Sequence, residues 1–330
     1  MEVIAERKKF GMFKTGATQK LLAFASLIIL IVFFSIASAN FFRFENIIAI
    51  MLATAVIGVL ALGSTFVIIT GGIDLSVGTV MTFSSVMAGV IITFGEMSVP
   101  LGIAGGIAAG ALCGFVSGWA VAKLGIPPFI ATLAMMMITK GLSLVISGTK
   151  PIYFNETPVF NKISMGSITA GTSFEIPNAV LIFFGCAIVA SIILSKTILG
   201  RYNFAIGSNE EATRLSGVNT SRWKIIIYTL TGVFSGIAGI MMASRLNSAQ
   251  PALGMGYELE AIAAVVIGGT SLSGGTGTIM GTVIGALIMS VLTNGLRILS
   301  VPQEWQTVIV GLVLAIAVYA DILRRKKVRS

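Results

Sequence analysis

Stretches of 18 or more residues made almost wholly of Leu, Ile, Val, Ala, Gly and Phe recur along the chain from Leu21 to Ala320. A helix of ~20 apolar residues spans the ~30 Å hydrocarbon layer of a bilayer. Repetition of such runs marks an integral membrane protein built of helices. Only 11% of the 330 residues are charged and the mean hydropathy is +0.97, whereas a soluble domain carries about 25% charge. The net charge of +9 then reads as anchoring on the cytoplasmic face rather than affinity for nucleic acid. There is no histidine, so histidine metal sites, triads and proton relays are excluded. Cys113 and Cys186 lie inside apolar runs as packing residues, and no disulfide framework is implied.

Ten segments are read as spans: 21–39, 47–69, 77–95, 100–122, 128–147, 179–195, 225–245, 258–270, 277–293 and 305–321. The first resembles a signal peptide, with Arg7, Lys8 and Lys9 before it and Ala37-Ser38-Ala39 at its end. Its 19 residues exceed the 7–15 of a signal core, so it is read as an uncut span. The eighth is short, which suits a broken or tilted helix.

With the amino terminus inside, the inner segments hold Arg7, Lys8, Lys9, Lys14, Lys20, Lys123, Lys196, Arg201, Arg214, Arg222, Lys224, Arg324, Arg325, Lys326, Lys327 and Arg329, which is 16 basic residues. The outer segments hold Arg43, Lys150, Lys162 and Arg297, which is 4. This bias places both termini in the cytoplasm of a multi-pass inner-membrane protein. The chain is expected to form one transmembrane domain over residues 1–330. A cytoplasmic tail (1–20), a cytoplasmic loop (196–224) and a basic tail (322–330) hang below it.

Glycines mark where helices approach closely. Gly106, Gly110, Gly114 and Gly118 recur every fourth residue, as do Gly232 with Gly236 and Gly281 with Gly285. Two interruptions, GGIDLSVGT (71–79) and GGTSLSGGT (268–276), agree at six of nine positions. Asp74, Ser76, Ser271 and Ser273 are placed to cap the helices that follow. Two readings stand: capped turns between spans, or broken helices lining a transport path.

The chain carries no GxxxxGK[ST] phosphate loop and no HExxH, so ATP hydrolysis and zinc chemistry are not its own. Asp74 is the sole carboxylate between residues 47 and 95. A path so poor in charge suits a neutral solute, and any energy coupling must come from elsewhere.

Against this background, GSNEEATRLSG (207–217) is unexpected. It has the marks of a short polar helix in the cytoplasmic loop. Ser208 is placed as cap, with Glu211 three residues on completing a capping box. Glu210 and Glu211 suit the first turn and Arg214 the last. Gly217 closes the helix in a left-handed turn.

Five strings, in order, carry a resemblance: NFFRFENIIAIM, GGIDLSVG, FIATLAMM, LGRYNFAIGSNEEATRLSGVN and SAQPALGMGYELEAIAAVVIGGTSLSGG. From about residue 40 onward the chain resembles the permeases of bacterial ribose/xylose/galactose-type ABC importers, with the ribose-type members nearest. The resemblance implies a fold like that of the vitamin B12 importer permease, with ten helices and a path at a dimer interface. Helices 2–5 and 7–10 of that fold are inverted repeats.

It implies two copies of this chain, a cytoplasmic sugar-type ATPase that binds the ATP, and an extracytoplasmic sugar-binding protein that delivers a monosaccharide. The chain itself then needs no cofactor. Residues 208–217 become the coupling helix that docks in the ATPase. Its charged contacts are Glu210, Glu211 and Arg214, with Ala212, Leu215 and Gly217 as packing surface and Ser208 and Asn209 at its start. Residues 148–178 and 246–257 are expected to meet the binding protein. Arg245, Glu258 and Glu260 are candidates there, although the two glutamates equally suit capping of the eighth helix. Asp74, Ser76, Ser271 and Ser273 are the candidate path residues. The rival readings are a secondary carrier or channel for a neutral solute, an intramembrane enzyme using Asp74, and a structural or receptor subunit. Which sugar is carried stays open among ribose, xylose, galactose, other pentoses, inositol and furanosides.

Overall fold

The computed structural model describes residues 21–171 and 175–329. The basic amino-terminal tail, residues 1–20, lies outside the described residues. The elements are α1 (Leu21–Ala37), α2 (Phe44–Ile69), α3 (Val77–Gly89, continued by a π-helical turn to Phe94), α4 (Val99–Lys123) and α5 (Pro128–Ile146), then β1 (Ile152–Tyr153) and α6 (Pro158–Met165). They continue as α7 (Asn178–Lys196), α8 (Ile198–Ser208), α9 (Glu210–Leu215), α10 (Thr220–Leu246), β2 (Ser248–Ala249), α11 (Tyr257–Ile267), α12 (Ile279–Ile298) and α13 (Gln303–Arg329).

Each of the ten expected spans has its helix. Among the described residues, eight are long and apolar enough to cross a bilayer, and α1 is a shorter apolar helix there. The eighth expected span, α11, is only 11 residues, or about 16 Å at 1.5 Å per residue, half of a hydrocarbon layer. Irregular backbone flanks it on either side. Thr270, just past α11, is buried among neighbouring helices. The seventh span starts five residues before the apolar pattern does. Asn219 caps α10 by accepting from the Arg222 amide at 3.0 Å, so the polar stretch Thr220–Lys224 is already helical.

Helices α2, α3, α10 and α12 form the centre, each buried over two-thirds or more of its apolar window. The apolar window of α13 has none of its residues buried within the chain. The expected glycine stripes meet each other. A Cβ on Gly110 or Gly114 would strike the Gly232 or Tyr228 carbonyl of α10, and one on Gly232 would strike the Gly110 carbonyl of α4. Gly281 and Gly285 likewise fit against Gly268, at the C-cap of α11, and Ala264 within it. Backbones this close gain dispersion contact that larger side chains would prevent. Hydroxyls fasten further pairs. Thr65 bonds Thr282 at 2.7 Å, Thr231 donates to the Gly63 carbonyl at 3.0 Å, and Thr139 donates to Thr79 at 2.8 Å.

The expected long loop after α5 is ordered into β1 and α6. Strand β1 pairs antiparallel with β2, Ile152 opposite Ala249. The Ser244 hydroxyl donates to the Phe160 carbonyl at 2.7 Å, and the Ser164 hydroxyl donates to the Met241 carbonyl at 2.9 Å. Phe154 stacks on Phe160 with centroids 4.0 Å apart. This cap therefore rides on the end of α10 opposite α9.

Candidate coupling and translocation sites

Helix α7 ends at Thr197, whose extended backbone turns the chain into α8. Tyr202 of α8 packs against Trp223 at the start of α10, centroids 5.0 Å apart. The expected capping box does not form. Ser208 continues α8, and the extended break falls one residue later, at Asn209 (φ −161°, ψ 101°). The cap is therefore Asn209, whose carboxamide oxygen accepts from the Ala212 amide at 2.9 Å. Gly217 takes the expected left-handed conformation (φ +85°). The Ser216 and Gly217 amides donate to the Ala212 and Arg214 carbonyls, closing the last turn.

The residues of this helix divide by what they face. Thr213 is turned inward and donates to the Asn209 carbonyl at 2.8 Å. Glu210 is tied to the base of α10 by Lys224, Nζ to Oε2 2.6 Å, so it holds α9 in place rather than standing free for a partner. Glu211, Ala212 and Arg214 are exposed, and Leu215 is 79% exposed.

The two glycine-rich interruptions and the root of α9 come together at this same end. The Gly275 amide donates to the Ile69 carbonyl at 2.9 Å. A Cβ on Gly207 would strike that same carbonyl, and one on Gly274 would crowd both the Gly71 amide and the Gly207 carbonyl. Gly71, Gly274 and Gly275 all have positive φ, which an L side chain takes only under strain. The end of α2, the end of α8 and the α11–α12 link thus share one backbone junction. Sequence reasoning singled out both interruptions but missed Gly207 and the junction, since nothing local marks three segments so far apart as neighbours.

Within the interruptions, the expected caps are corrected. Ser76 makes no cap bond. Its amide and hydroxyl instead donate to Asp74 Oδ1 at 2.8 and 2.6 Å. Burial pushes the Asp74 carboxyl above its ordinary range, and the bonds from Ser76 pull against this. Thr132 of α5 accepts from the Leu75 amide at 3.1 Å and pins the same segment. In the second interruption neither Ser271 nor Ser273 caps α12. Thr278 does, accepting from the Gly281 amide at 3.1 Å, because the helix begins later than the motif match suggested. Ser271 instead closes a turn, its amide donating to the Thr276 carbonyl at 3.1 Å, and Ser273 is exposed.

At the opposite end, Glu258 is buried and both its carboxylate oxygens accept from the Gly256 amide at 3.0 Å. It serves the start of α11, as the capping expectation has it. Arg245 and Glu260 are not on a flat surface. They line a cavity of about 670 Å³ between α2, α10, α11, α12 and α13.

Residues 46–318 match the family described as the permease component of branched-chain amino acid transport systems. The chain belongs to this permease family. Among curated permeases it is 43% identical to the ribose import permease RbsC of Escherichia coli K12 over 296 residues, covering 90% of this chain and 91% of that one. It is 43% identical to the RbsC of Bacillus subtilis over 312 residues, covering 94% of each. It is 38% identical to the fructose import permease FrcC of Rhizobium meliloti over 305 residues, covering 90% of this chain and 83% of that one. The permease is therefore a helical, multi-pass membrane protein of the kind its apolar runs require.

Proposed function

We propose that this permease is the membrane-spanning subunit of an ATP-driven importer of a monosaccharide, ribose being the foremost candidate. Its near full-length match to ribose import permeases supports the reading, with fructose import relatives keeping other sugars in view. ATP is bound and hydrolysed by a partner, since this chain has no phosphate loop. Two copies of the chain form the path, both termini and α9 face the cytoplasm, and a sugar-binding protein docks at the opposite end on residues 148–178 and 246–257. The α9 helix is the coupling helix. The observation that carries this is its geometry: a capped, salt-bridged helix joined directly to α8 and α10 and presenting Glu211, Ala212, Arg214 and Leu215 outward. ATP-driven closure of the partner then moves α9, and α10 tilts with it, so that the path changes its open side.

The test is the double variant Arg214→Ala/Leu215→Ala in the full importer. We expect at least a tenfold loss of ATP-driven sugar uptake and loss of the ATPase from the purified complex. The thermal unfolding of the permease should stay within a few degrees of wild type. Normal uptake by this variant would overturn the coupling assignment.

A further inference from the structure

The cavity at the end remote from α9 is lined by an unusual set of groups. Arg245, Tyr257, Glu260, Arg297, Gln303 and Gln306 face it from four helices. None of the three ionic side chains makes an ion pair within 4.0 Å or a side-chain hydrogen bond among the described residues. Arg245 and Glu260 are only partly exposed, Arg297 is exposed at the cavity's rim, and both of the former lie within its electrostatic reach. For the partly enclosed Arg245 and Glu260, lack of a close partner inside a membrane protein is costly and points to something that satisfies them.

The chemistry of the set narrows the ligand. Guanidinium groups only donate, a carboxylate only accepts, and amides do both. The Gln306 amide nitrogen gives one of its two hydrogens to the Val301 carbonyl at 2.8 Å, which leaves one N–H and the oxygen for a ligand. Thr307 and Thr293 donate to the Gln303 and Met289 carbonyls at 3.1 and 3.0 Å, so their lone pairs remain. An anion would meet Glu260 and a cation would meet two arginines. A zwitterion or a neutral molecule bearing several hydroxyls, each able to donate and accept, suits all of them, and the match to sugar import permeases favours the second. Met242, Leu253 and Val310 supply apolar wall for its C–H face. The volume lies within the range of ~300–1,000 Å³ typical of small-molecule sites.

We propose that this cavity is a receiving site for one monosaccharide within the permease, with Glu260 accepting from sugar hydroxyls and Arg245 and Arg297 donating to them. The inference rests on the sugar-importer reading and names residues that reading does not supply.

The test uses the complete importer in proteoliposomes, with ribose, fructose and arabinose as radiolabelled probes, and measures sugar moved per ATP hydrolysed. Glu260→Gln and Arg297→Gln should lower that ratio at least fivefold, while Val308→Ala, on the exposed face of α13 and outside the cavity, should leave it at the wild-type value. A second measurement does not depend on transport. Thr307→Cys, with Cys113 and Cys186 replaced by Ala, should react with a water-soluble thiol reagent and be slowed at least threefold by the transported sugar. Ratios within twofold of wild type for both cavity variants would overturn the proposal, as would a Thr307→Cys thiol reached only by membrane-soluble reagents, which would mean lipid fills the space. If the wild-type importer moves none of these and none of xylose, galactose or inositol, the sugar-importer reading itself fails, and the receiving site with it. If it moves one and the variants keep the ratio, only the receiving site falls.

Discussion

Asn209 shows how one position decides where a helix begins. Ser and Asn are nearly equal as caps, so the adjacent pair Ser208-Asn209 offers two starts that local preference cannot separate. The choice is made by Gly207, which must sit against the Ile69 carbonyl and so carries α8 one residue further, through Ser208. Asn209→Ala should destabilise α9 by about 1 kcal/mol and weaken retention of the ATPase in co-purification, while Ser208→Ala should change neither. If Ser208→Ala proves the more harmful, the cap is misplaced by one residue. Gly217 was legible because a left-handed close has one favoured residue. The pairing of Glu210 with Lys224 was not, because it depends on how α9 folds back on the start of α10.

At the scale of elements, the meeting of α4 and α10 was readable in outline. Glycine every fourth residue puts a smooth strip on one helix face whatever the partner. That the strip at 106–118 faces the one at 232–236 depends on the three-dimensional arrangement. Gly114→Leu would drive a side chain into the Tyr228 carbonyl and the Gly232 backbone, and should cost about 3 kcal/mol or more. The check is the unfolding temperature of the purified permease, set beside Gly141→Leu, where nothing lies within 4 Å of the added Cβ. Equal effects at the two sites would deny the close crossing. The short α11 was legible as a broken span from its length alone. The order of the 148–171 segment was not, since it comes from Ser244, Asn161 and Phe160 meeting across more than 80 residues of sequence.

For the whole molecule, hydropathy gave the apolar helices and the basic residues gave an expected orientation. On that orientation α9 and the α6 cap lie on opposite sides of the membrane. Ser216→Cys and Val159→Cys, each exposed and each made without the two native cysteines, test it. An impermeant thiol reagent should label Val159→Cys in intact cells and Ser216→Cys only in inverted vesicles, and the reverse pattern would invert the whole assignment. The cavity beside Arg245 was hidden from the sequence for a plain reason. Its walls come from segments between Ala53 and Leu314, and no local pattern declares that charges so far apart share one space.

The junction at the Ile69 carbonyl bears on the order in which the chain is made. It is complete only when Gly275 has been synthesised, some way after α9 itself. Domains emerge from the ribosome amino end first, so a nascent chain displays Glu210–Leu215 before the base of that rod is locked. A truncated product ending before residue 275 keeps the rod but lacks its anchorage. On the coupling-helix proposal, a product ending between residues 218 and 274 would occupy the ATPase while transmitting nothing.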